Sequence, residues 1–283
     1  MEILDKSISQ VLVDEKGKDL NIGIIGLGVV GQALYEGFRD SHGLFVHDIS
    51  KNTAISDVID NCDLAYICVP TPTNRDTGVC DVSIVRSVLR SLPPGFSAVI
   101  KSTVVPGTTQ SFHDEFPELK IACSPEFLRA SSAKEDFMNQ EILVVGTHHR
   151  ELAGTIWDNH MESGILNGGK IFHVSPTQAE IVKYAKNTFY SMKVIFGNHF
   201  QLISSYFKED WGPIKEILTA PQNRGIVDSH LEGLPGELGF GGACLPKDTE
   251  AIASLLKKIG IDSGLLRGIL QDNENFRGGN YAS

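Results

Sequence analysis

Residues 21–31 read NIGIIGLGVVG, a β-branched run that leads into three glycines spaced as GxGxxG. The sequence that follows carries Val30, Leu34 and Phe38 at helical spacing. The glycines therefore stand in the turn between a predicted strand and the helix after it. A turn in this setting brings backbone N–H groups and the positive end of a helix close to a phosphate.

Each glycine of this turn has its own predicted function in a dinucleotide site. Gly26 permits the tight turn, Gly28 lets the backbone approach a pyrophosphate, and Gly31 lets helix and strand pack closely. Asp48 ends the next strand about 20 residues on, where a carboxylate can accept hydrogen bonds from the adenosine ribose. Because that carboxylate would repel a 2′-phosphate, the pattern predicts a Rossmann domain that binds NAD. The alternative is a glycine turn with an unrelated surface aspartate.

Composition excludes several classes of protein. The chain has 283 residues, 41% of them hydrophobic and 21% charged, which is typical of a globular enzyme or binding protein. A net charge of -10 argues against nucleic acid or an anionic membrane as the main partner. There is neither a bilayer-length apolar run nor a leader pattern at the polar N-terminus. Five cysteines without a CxxC pair, and nine histidines without HxH or HExxH, predict no disulfide scaffold, no metal and a cytoplasmic location.

The first half of the chain alternates apolar runs with segments of helical spacing. After the first run, the predicted strands lie within 44–48, 63–70, 96–103, 119–124 and 141–147. These runs are nearly continuous in apolar residues, which is typical of a parallel sheet covered on both faces. The fold class is therefore α/β, a doubly wound sheet, with helices such as 81–92 between the strands.

The pattern changes near residue 175, where helices replace the alternation. A helix is predicted over 175–207, about 32 residues long if it continues through Gly197. Shorter helices are predicted over 211–220, 246–259 and 263–276, with an ordered loop from Pro221 to Leu245. We therefore predict three parts, listed in chain order: an N-terminal arm (1–20), an NAD-binding Rossmann domain (21–175) and an all-α domain built on the long helix (176–283).

Polar residues follow three of the predicted strands where a scaffold would not need them. Their sequences are VPTPT (69–73), KST (101–103) and SPEFL (124–128). Because ligands bind at the carboxyl edge of an open α/β sheet, these segments predict one substrate crevice.

The helical half contributes two further candidate sites. Lys183 and Asn187 are four residues apart and so share a helix face, which is either a functional pair or a solvated stripe. GFGGACLPKD (239–248) places Cys244 after flexible glycines and next to a predicted helix N-terminus, where a thiol ionises more readily. The alternative for Cys244 is the common one for a lone cysteine, a buried side chain in a glycine turn.

The motifs together resemble the nucleotide-sugar dehydrogenase family over about residues 21–277, with gaps. The resemblance rests on GLGVVG, VPTPT, KSTVVPGT, SPEFL, KYAKN and GFGGACLPKD, which occur in that order. It implies oxidation of a sugar C6 alcohol to the uronic acid with two NAD, and the expected substrate is a nucleotide sugar of the UDP-glucose or GDP-mannose class, with UDP-glucose preferred. It also implies that Cys244 traps the aldehyde as a thiohemiacetal, that Glu126 helps to hydrolyse the resulting thioester, and that Thr103 orders water or cofactor.

The same resemblance assigns the remaining site residues. Asn187 and Asp248 would hold a water near C6, and Lys183 would stabilise the developing alkoxide. The expected cofactor contacts are Gly26, Gly28, Val29, Val30, Gly31, Asp48, Val69, Pro70, Thr71, Thr73, Ser102, Thr103 and Lys247. The expected substrate contacts are Glu126, Phe127, Leu128, Arg129, Lys183, Asn187, Arg224, Phe240, Gly241 and Cys244.

Two features resemble the family's dimer, and three depart from its pattern. Arg224 resembles the arginine that reaches a partner's substrate, and the long helix resembles the dimer core, so a homodimer is expected. Ala130 replaces a usual glutamate, FGNH (196–199) replaces FxNE, and the chain ends before a third domain. Besides an active enzyme, these departures leave open a non-catalytic binding dimer or a subunit that needs a partner. The chain could be a natural short form, a fragment or one half of a split enzyme. A third reading, a hydroxyacid dehydrogenase, would not need Cys244.

Overall fold

The computed structural model describes residues 20–74, 77–129, 132–166, 168–221, 237–260 and 262–278. The chain divides into two compact units. The first contains the residues up to Pro72 and Asp81–Lys183, and the second contains Thr73–Cys80 and the residues from Tyr184 onward. Almost all of the predicted arm lies outside the described residues. The predicted boundary near residue 175 stays a prediction.

The first unit is built on one seven-stranded sheet. Its strands are β1 (Asn21–Ile25), β2 (Gly43–His47), β3 (Leu64–Ile67), β4 (Ser97–Ile100), β5 (Lys120–Cys123), β6 (Ile142–Thr147) and β7 (Lys170–Val174). They are arranged in the order β2-β1-β3-β4-β5-β6-β7. After β1 the chain forms β2 on one side of β1 and then crosses over to form β3 on the other side of β1. The carboxyl ends of β1 and β3 therefore form the switch point at which such sheets bind ligands.

The sheet is parallel except at one pairing. β6 runs antiparallel to β5 and then pairs in parallel with β7. The expectation of a parallel sheet is thus correct for β1–β5 and wrong at β6. β7 was not predicted, because Lys170 and His173 interrupt its short apolar run.

Helices cover both faces of the sheet, as the α/β fold class requires. They are α1 (Val29–Phe38), α2 (Ile55–Asn61), α3 (Ser83–Ser91), α4 (Thr108–Glu115), α5 (Ala133–Met138) and α6 (Arg150–Glu162). Successive residues of β3 alternate between two buried clusters, with Tyr66 in one and Ile67 in the other. This alternation places a hydrophobic core on each face, which confirms the doubly wound Rossmann-type fold.

The second unit is helical, as predicted. Its described helices are α7 (Pro176–Tyr206), through which the division of the chain passes, α8 (Trp211–Thr219), α9 (Leu245–Lys258) and α10 (Gly264–Arg277). α7 is 31 residues long and continues through Gly197. Val194, Phe240, Ile269 and Phe276 lie in the core of this unit. In the described parts of the chain, no helix has both the length and the apolar character that crossing a bilayer requires.

Candidate active site

Two of the three glycines in the predicted dinucleotide turn are required by the fold itself. Gly26 has a φ of +95°, and a Cβ atom there would lie 2.8 Å from the carbonyl oxygen of Cys68. A Cβ atom on Gly31 would lie 1.9 Å from the carbonyl oxygen of Gly26. Close packing between β1, β3 and α1 therefore excludes any side chain at these two positions.

Gly28 differs from its neighbours because nothing within 4 Å would oppose a Cβ atom there. It is the N-cap of α1, its φ of −69° is ordinary, and no side chain caps this end of the helix. Gly28 and the predicted contact Val29 are exposed and Val30 is half-buried, so the start of α1 is open to a ligand on the side of Gly28. Such an arrangement fits the pyrophosphate of a dinucleotide.

Asp48 lies directly after β2 and is fixed in the same region. One carboxylate oxygen accepts from the Leu27 N–H at 2.6 Å, and the other accepts from the Ser50 N–H at 2.8 Å. Hydrogen bonds from Ser50, followed by that from Leu27, lower the pKa of Asp48 below its ordinary value. The group is therefore ionised at neutral pH, as an acceptor for ribose hydroxyls must be.

Hydrogen bonds join the predicted cofactor segments after β3 and β4. The Thr71 hydroxyl donates to the Thr103 carbonyl oxygen at 2.7 Å, and the Ser102 hydroxyl donates to the Val69 carbonyl oxygen at the same distance. Pro70, between them, is exposed. The two strand ends thus form one continuous edge, although Ser102 directs its hydroxyl at the protein backbone.

A buried ionic cluster lies at the ends of β4 and β5. The Lys101 ammonium forms an ion pair with the Glu126 carboxylate and donates to the Ser124 hydroxyl at 3.3 Å. Lys183 donates to the Glu126 backbone carbonyl at 2.5 Å. All four residues are buried, and burial lowers the pKa of Lys101 to about 7. The structure therefore brings together Glu126 and Lys183, both predicted for the site, with Lys101, whose segment KST was predicted to line the substrate crevice without a role for the lysine itself.

The residues after Glu126 make mainly structural contacts in the described chain. Leu128 packs against the main core. The Arg129 guanidinium binds Asp136 at 2.6 Å, and this hydrogen bond lowers the pKa of Asp136 to about 2. Phe127 is half-buried, and the Lys183 ammonium lies 5.9 Å from the centre of its ring. Phe127 also packs against a small buried cluster formed by Cys123, Val144 and Ala179.

The second unit has its own buried carboxylate. Asp248 is 1% exposed; one oxygen accepts from the Asn187 amide at 2.5 Å and the other from the Lys247 ammonium at 2.6 Å. Asn187 and Asp248, which the resemblance implies would hold a water together, are thus in direct contact, and the water-holding role stays a prediction. Lys247, predicted to contact the cofactor, instead directs its ammonium at Asp248. The Thr73 hydroxyl donates to the Lys247 carbonyl oxygen at 3.4 Å.

Cys244 is exposed and is the N-cap of α9, one turn before Asp248. Two asparagines fix the loop that leads to it: Asn198 accepts from the Gly239 N–H and Asn273 from the Phe240 N–H, both at 2.7 Å. Phe240 is fully buried in the core as a whole residue, so neither its side chain nor its backbone is exposed as this predicted contact would require. Gly241, which follows, is half-buried.

Some of the predicted site lies outside the described residues, and part of the observed site was missed. Arg224 and Ala130 are among the residues that the structure does not describe. The ion pair of Lys101 and the loop contacts of Asn198 and Asn273 were not predicted, because the partners of these residues are far away in the sequence. For Lys101 one signal was present, namely a charged residue directly after an apolar strand.

A switch-point glycine turn with open space at Gly28, together with an ionised Asp48 at the end of β2, defines a dinucleotide-binding domain of the Rossmann class. Comparison with known families identifies it further. The pattern of the UDP-glucose/GDP-mannose dehydrogenase family, NAD binding domain, matches residues 41–160, and that of the central domain matches residues 177–275. The chain belongs to this family, and NAD is the cofactor of the matched domain. The glycine turn precedes the matched range, so its assignment rests on its geometry.

Individual relatives agree with this family. UDP-glucose 6-dehydrogenase TuaD of Bacillus subtilis is 28% identical over 98% of this chain and 59% of the relative. GDP-mannose 6-dehydrogenase of Pseudomonas syringae pv. tomato is 26% identical over 82% of this chain and 55% of the relative. A UDP-glucose dehydrogenase structure from Pyrobaculum islandicum superposes with a TM-score of 0.74 at 24% identity, over 93% of this chain and 70% of the other, and shows a shared fold. The chain thus spans less than two thirds of the length of these two curated relatives.

Proposed function

We propose that this chain catalyses the NAD-dependent oxidation of the C6 alcohol of a nucleotide sugar to the uronic acid, with UDP-glucose as the first candidate substrate. The proposal is supported by the family and by the names of relatives such as the Bacillus subtilis protein. One observation carries it: an exposed thiol, Cys244, lies at the N-terminus of α9, one turn before a buried carboxylate that Asn187 holds. A single oxidation of an alcohol would not need that thiol.

The residues of this chain would first prepare the alcohol. The glycine turn and Asp48 would hold NAD, which would supply the hydride acceptor for C6, and the two oxidations would use two NAD in succession. Asp248 and Asn187 would hold a water that takes the proton from the C6 hydroxyl. The Lys183 ammonium would stabilise the negative charge that develops on that oxygen. Thr103, at the end of β4, would help to order this water.

Cys244 and Glu126 would then complete the oxidation. The Cys244 thiolate adds to the aldehyde carbon, and the carbonyl oxygen takes up a proton to give a thiohemiacetal. Once this is oxidised to a thioester, water attacks the acyl carbon, Glu126 accepts a proton from that water, and the carbon–sulfur bond breaks. The products are the carboxylic acid and the free thiolate, so the cycle can repeat.

The substrate and the thiol chemistry can be tested together. Purified chain would be incubated anaerobically with NAD and either UDP-glucose or GDP-mannose, while NADH formation is followed and the sugar product analysed. The proposal expects uronate from one of the two sugars, and none from the Cys244→Ser variant. An unchanged rate of uronate formation by Cys244→Ser would exclude the thiol mechanism. Measurable NAD binding without NADH from either sugar would instead favour a binding protein or a partner-dependent subunit.

We also propose a homodimer formed through α7. Four large apolar side chains on this helix are 45–54% exposed: Phe189, Phe196, Phe200 and Ile203. Their spacing places them along one side of the helix, where a second copy can bury them. Arg224 is proposed to reach the substrate of the partner. Light scattering should give the dimer mass for the wild type and the monomer mass for Phe196→Asp/Phe200→Asp. A wild-type monomer would contradict the proposal.

A further inference from the structure

The buried ion pair at the carboxyl ends of β4 and β5 includes one lysine that the mechanism above does not use. Lys101 is the first residue after β4, and Ser124 is the first after β5, the adjacent parallel strand. Glu126 follows two residues later. The sheet therefore fixes both ends of the pair, because the Ser124 N–H donates to the Ile100 carbonyl oxygen at 2.9 Å.

The side chains of this pair are almost completely removed from solvent. The Lys101 side chain is 1% exposed and that of Glu126 is 6% exposed. A buried lysine without a counter-ion would be strongly unfavourable, and so would a buried glutamate. Burial lowers the pKa of Lys101 to about 7, so the adjacent Glu126 carboxylate is what favours the charged ammonium near neutral pH. The direction of that carboxylate in turn depends on where β4 places Lys101.

Most of the other titratable groups that face Lys101 in the described part of the first unit are uncharged at neutral pH. Burial raises the pKa of Cys68, after β3, to about 12 and also raises that of Cys123 on β5, so both thiols are neutral. Burial lowers the pKa of His160 on α6 to about 3, so this ring is neutral as well. Lys183 on α7 remains as a second cation, and it binds the Glu126 backbone rather than its carboxylate.

We propose that Lys101 is a positioning residue for the reaction: its ammonium holds the Glu126 carboxylate ionised and correctly aimed for thioester hydrolysis. Lys101 does not touch the substrate and acts through Glu126 alone. The assignment of Glu126 to hydrolysis rests on the proposed function. The effect of Lys101 on the ionisation of the Glu126 carboxyl group does not depend on that function, so the two claims can be tested separately.

The first test needs no turnover. The chain would be labelled with glutamate carrying ¹³C at the carboxyl carbon, and the Glu126 resonance would be assigned by its loss in Glu126→Gln. In Lys101→Met the titration midpoint of this resonance should rise by about one to three pH units, since a nearby cation favours the carboxylate by that amount. Lys120→Met, which removes a half-exposed lysine of β5, is the matched control and should cause no shift. An unchanged midpoint in Lys101→Met would overturn the proposal.

The second test uses reaction rates and a double-mutant cycle. Lys101→Met should lower kcat about 10- to 100-fold with little change in the KM for NAD, and should move the acidic limb of the kcat profile to higher pH. Lys101→Met/Glu126→Gln should match Glu126→Gln within about twofold, since the two residues act as a unit. A double variant much slower than Glu126→Gln would show that Lys101 acts elsewhere.

The double variant also decides the question if Lys101→Met does not fold, because it removes both buried charges together. If the wild-type chain forms no NADH, the proposed function fails. The carboxyl titration would still show whether Lys101 lowers the pKa of Glu126.

Discussion

Each unit contains a buried carboxylate that a lysine binds, yet the two are held in different ways. Glu126 in the first unit pairs with Lys101, which is 25 positions earlier in the sequence and has a side chain that is 1% exposed. Asp248 in the second unit pairs with Lys247, its sequence neighbour, whose side chain is 21% exposed. The Asn187 amide supplies the second hydrogen bond to Asp248, whereas the second contact to Glu126 is made to its backbone.

This difference shows which parts of a site depend on the fold. Lys247 lies next to Asp248 in the sequence, so the two stay close independently of the tertiary fold. Asn187 adds one tertiary contact to Asp248. Glu126 has its lysine only if β4 and β5 pair in register. We therefore expect changes at Asp248 to affect chemistry more than stability, and changes at Lys101 to affect both.

The largest expected effect on rate comes from Asp248→Asn. The amide retains the shape and can still bind Asn187, but it cannot take up a proton. The rate of NADH formation should therefore fall by about 10²- to 10⁴-fold, while the melting temperature stays close to that of the wild type. Asp262→Asn, an exposed aspartate of the same unit, is the control and should retain full activity. A loss of less than tenfold at Asp248 would remove it from the proton path.

Next in size is the stability difference between the two lysines. Removing Lys101 leaves Glu126 as a buried charge without its cation, so Lys101→Met should lower the free energy of unfolding by about 3–5 kcal/mol. Lys247→Met should cost about 1 kcal/mol, because Asp248 keeps Asn187 and Lys247 is partly solvated. Urea titrations of both variants measure the two values. Equal losses would contradict the comparison.

A smaller effect on stability is expected in the glycine turn, where Gly31 is enclosed by the fold and Gly28 is not. Gly31→Ala brings a methyl group against the Gly26 carbonyl and should destabilise the first unit by about 1–3 kcal/mol. Gly28→Ala meets no protein atom and should cost about 1 kcal/mol or less, yet it should weaken NAD binding because it fills the space in front of α1. Calorimetry gives both quantities. Unchanged NAD affinity in Gly28→Ala would place the pyrophosphate elsewhere.

The smallest effect concerns Asp136, a carboxylate held by the mostly exposed Arg129. The pKa of Asp136 is about 2, below the ordinary value of about 4, so its contribution to stability is complete above pH 4 and is lost as pH falls toward 2. Arg129→Ala should therefore lower Tm slightly near pH 6, and the difference from the wild type should shrink below pH 4. A difference that grows in acid would contradict this sign.

Much of this fold could be predicted because its signals are local. Gly26, Gly28 and Gly31 mark the first strand, turn and helix together, and the apolar run after Pro176 predicts the long helix. The antiparallel β6 could not be foreseen, since strand direction depends on where the chain returns to the sheet. β7 was not predicted because Lys170 and His173 interrupt its apolar residues.

The site divides in the same way. Cys244 and Asp248 lie in one ten-residue motif, so the sequence alone suggested that they act together. The contacts of Lys101 with Glu126 and of Asn198 with Gly239 join distant segments, and only the folded chain reveals them. The burial of Phe240 likewise depends on α10, whose residues Ile269 and Phe276 lie in the same core.

The most direct test of the central claim is the ratio of NADH to uronate formed from UDP-glucose, or from GDP-mannose if that is the sugar oxidised, by the purified wild-type chain under anaerobic conditions. The account predicts two NADH for each uronate and no released aldehyde, because Cys244 keeps the intermediate covalently bound between the two oxidations. One NADH for each sugar, with free aldehyde as the product, would contradict it.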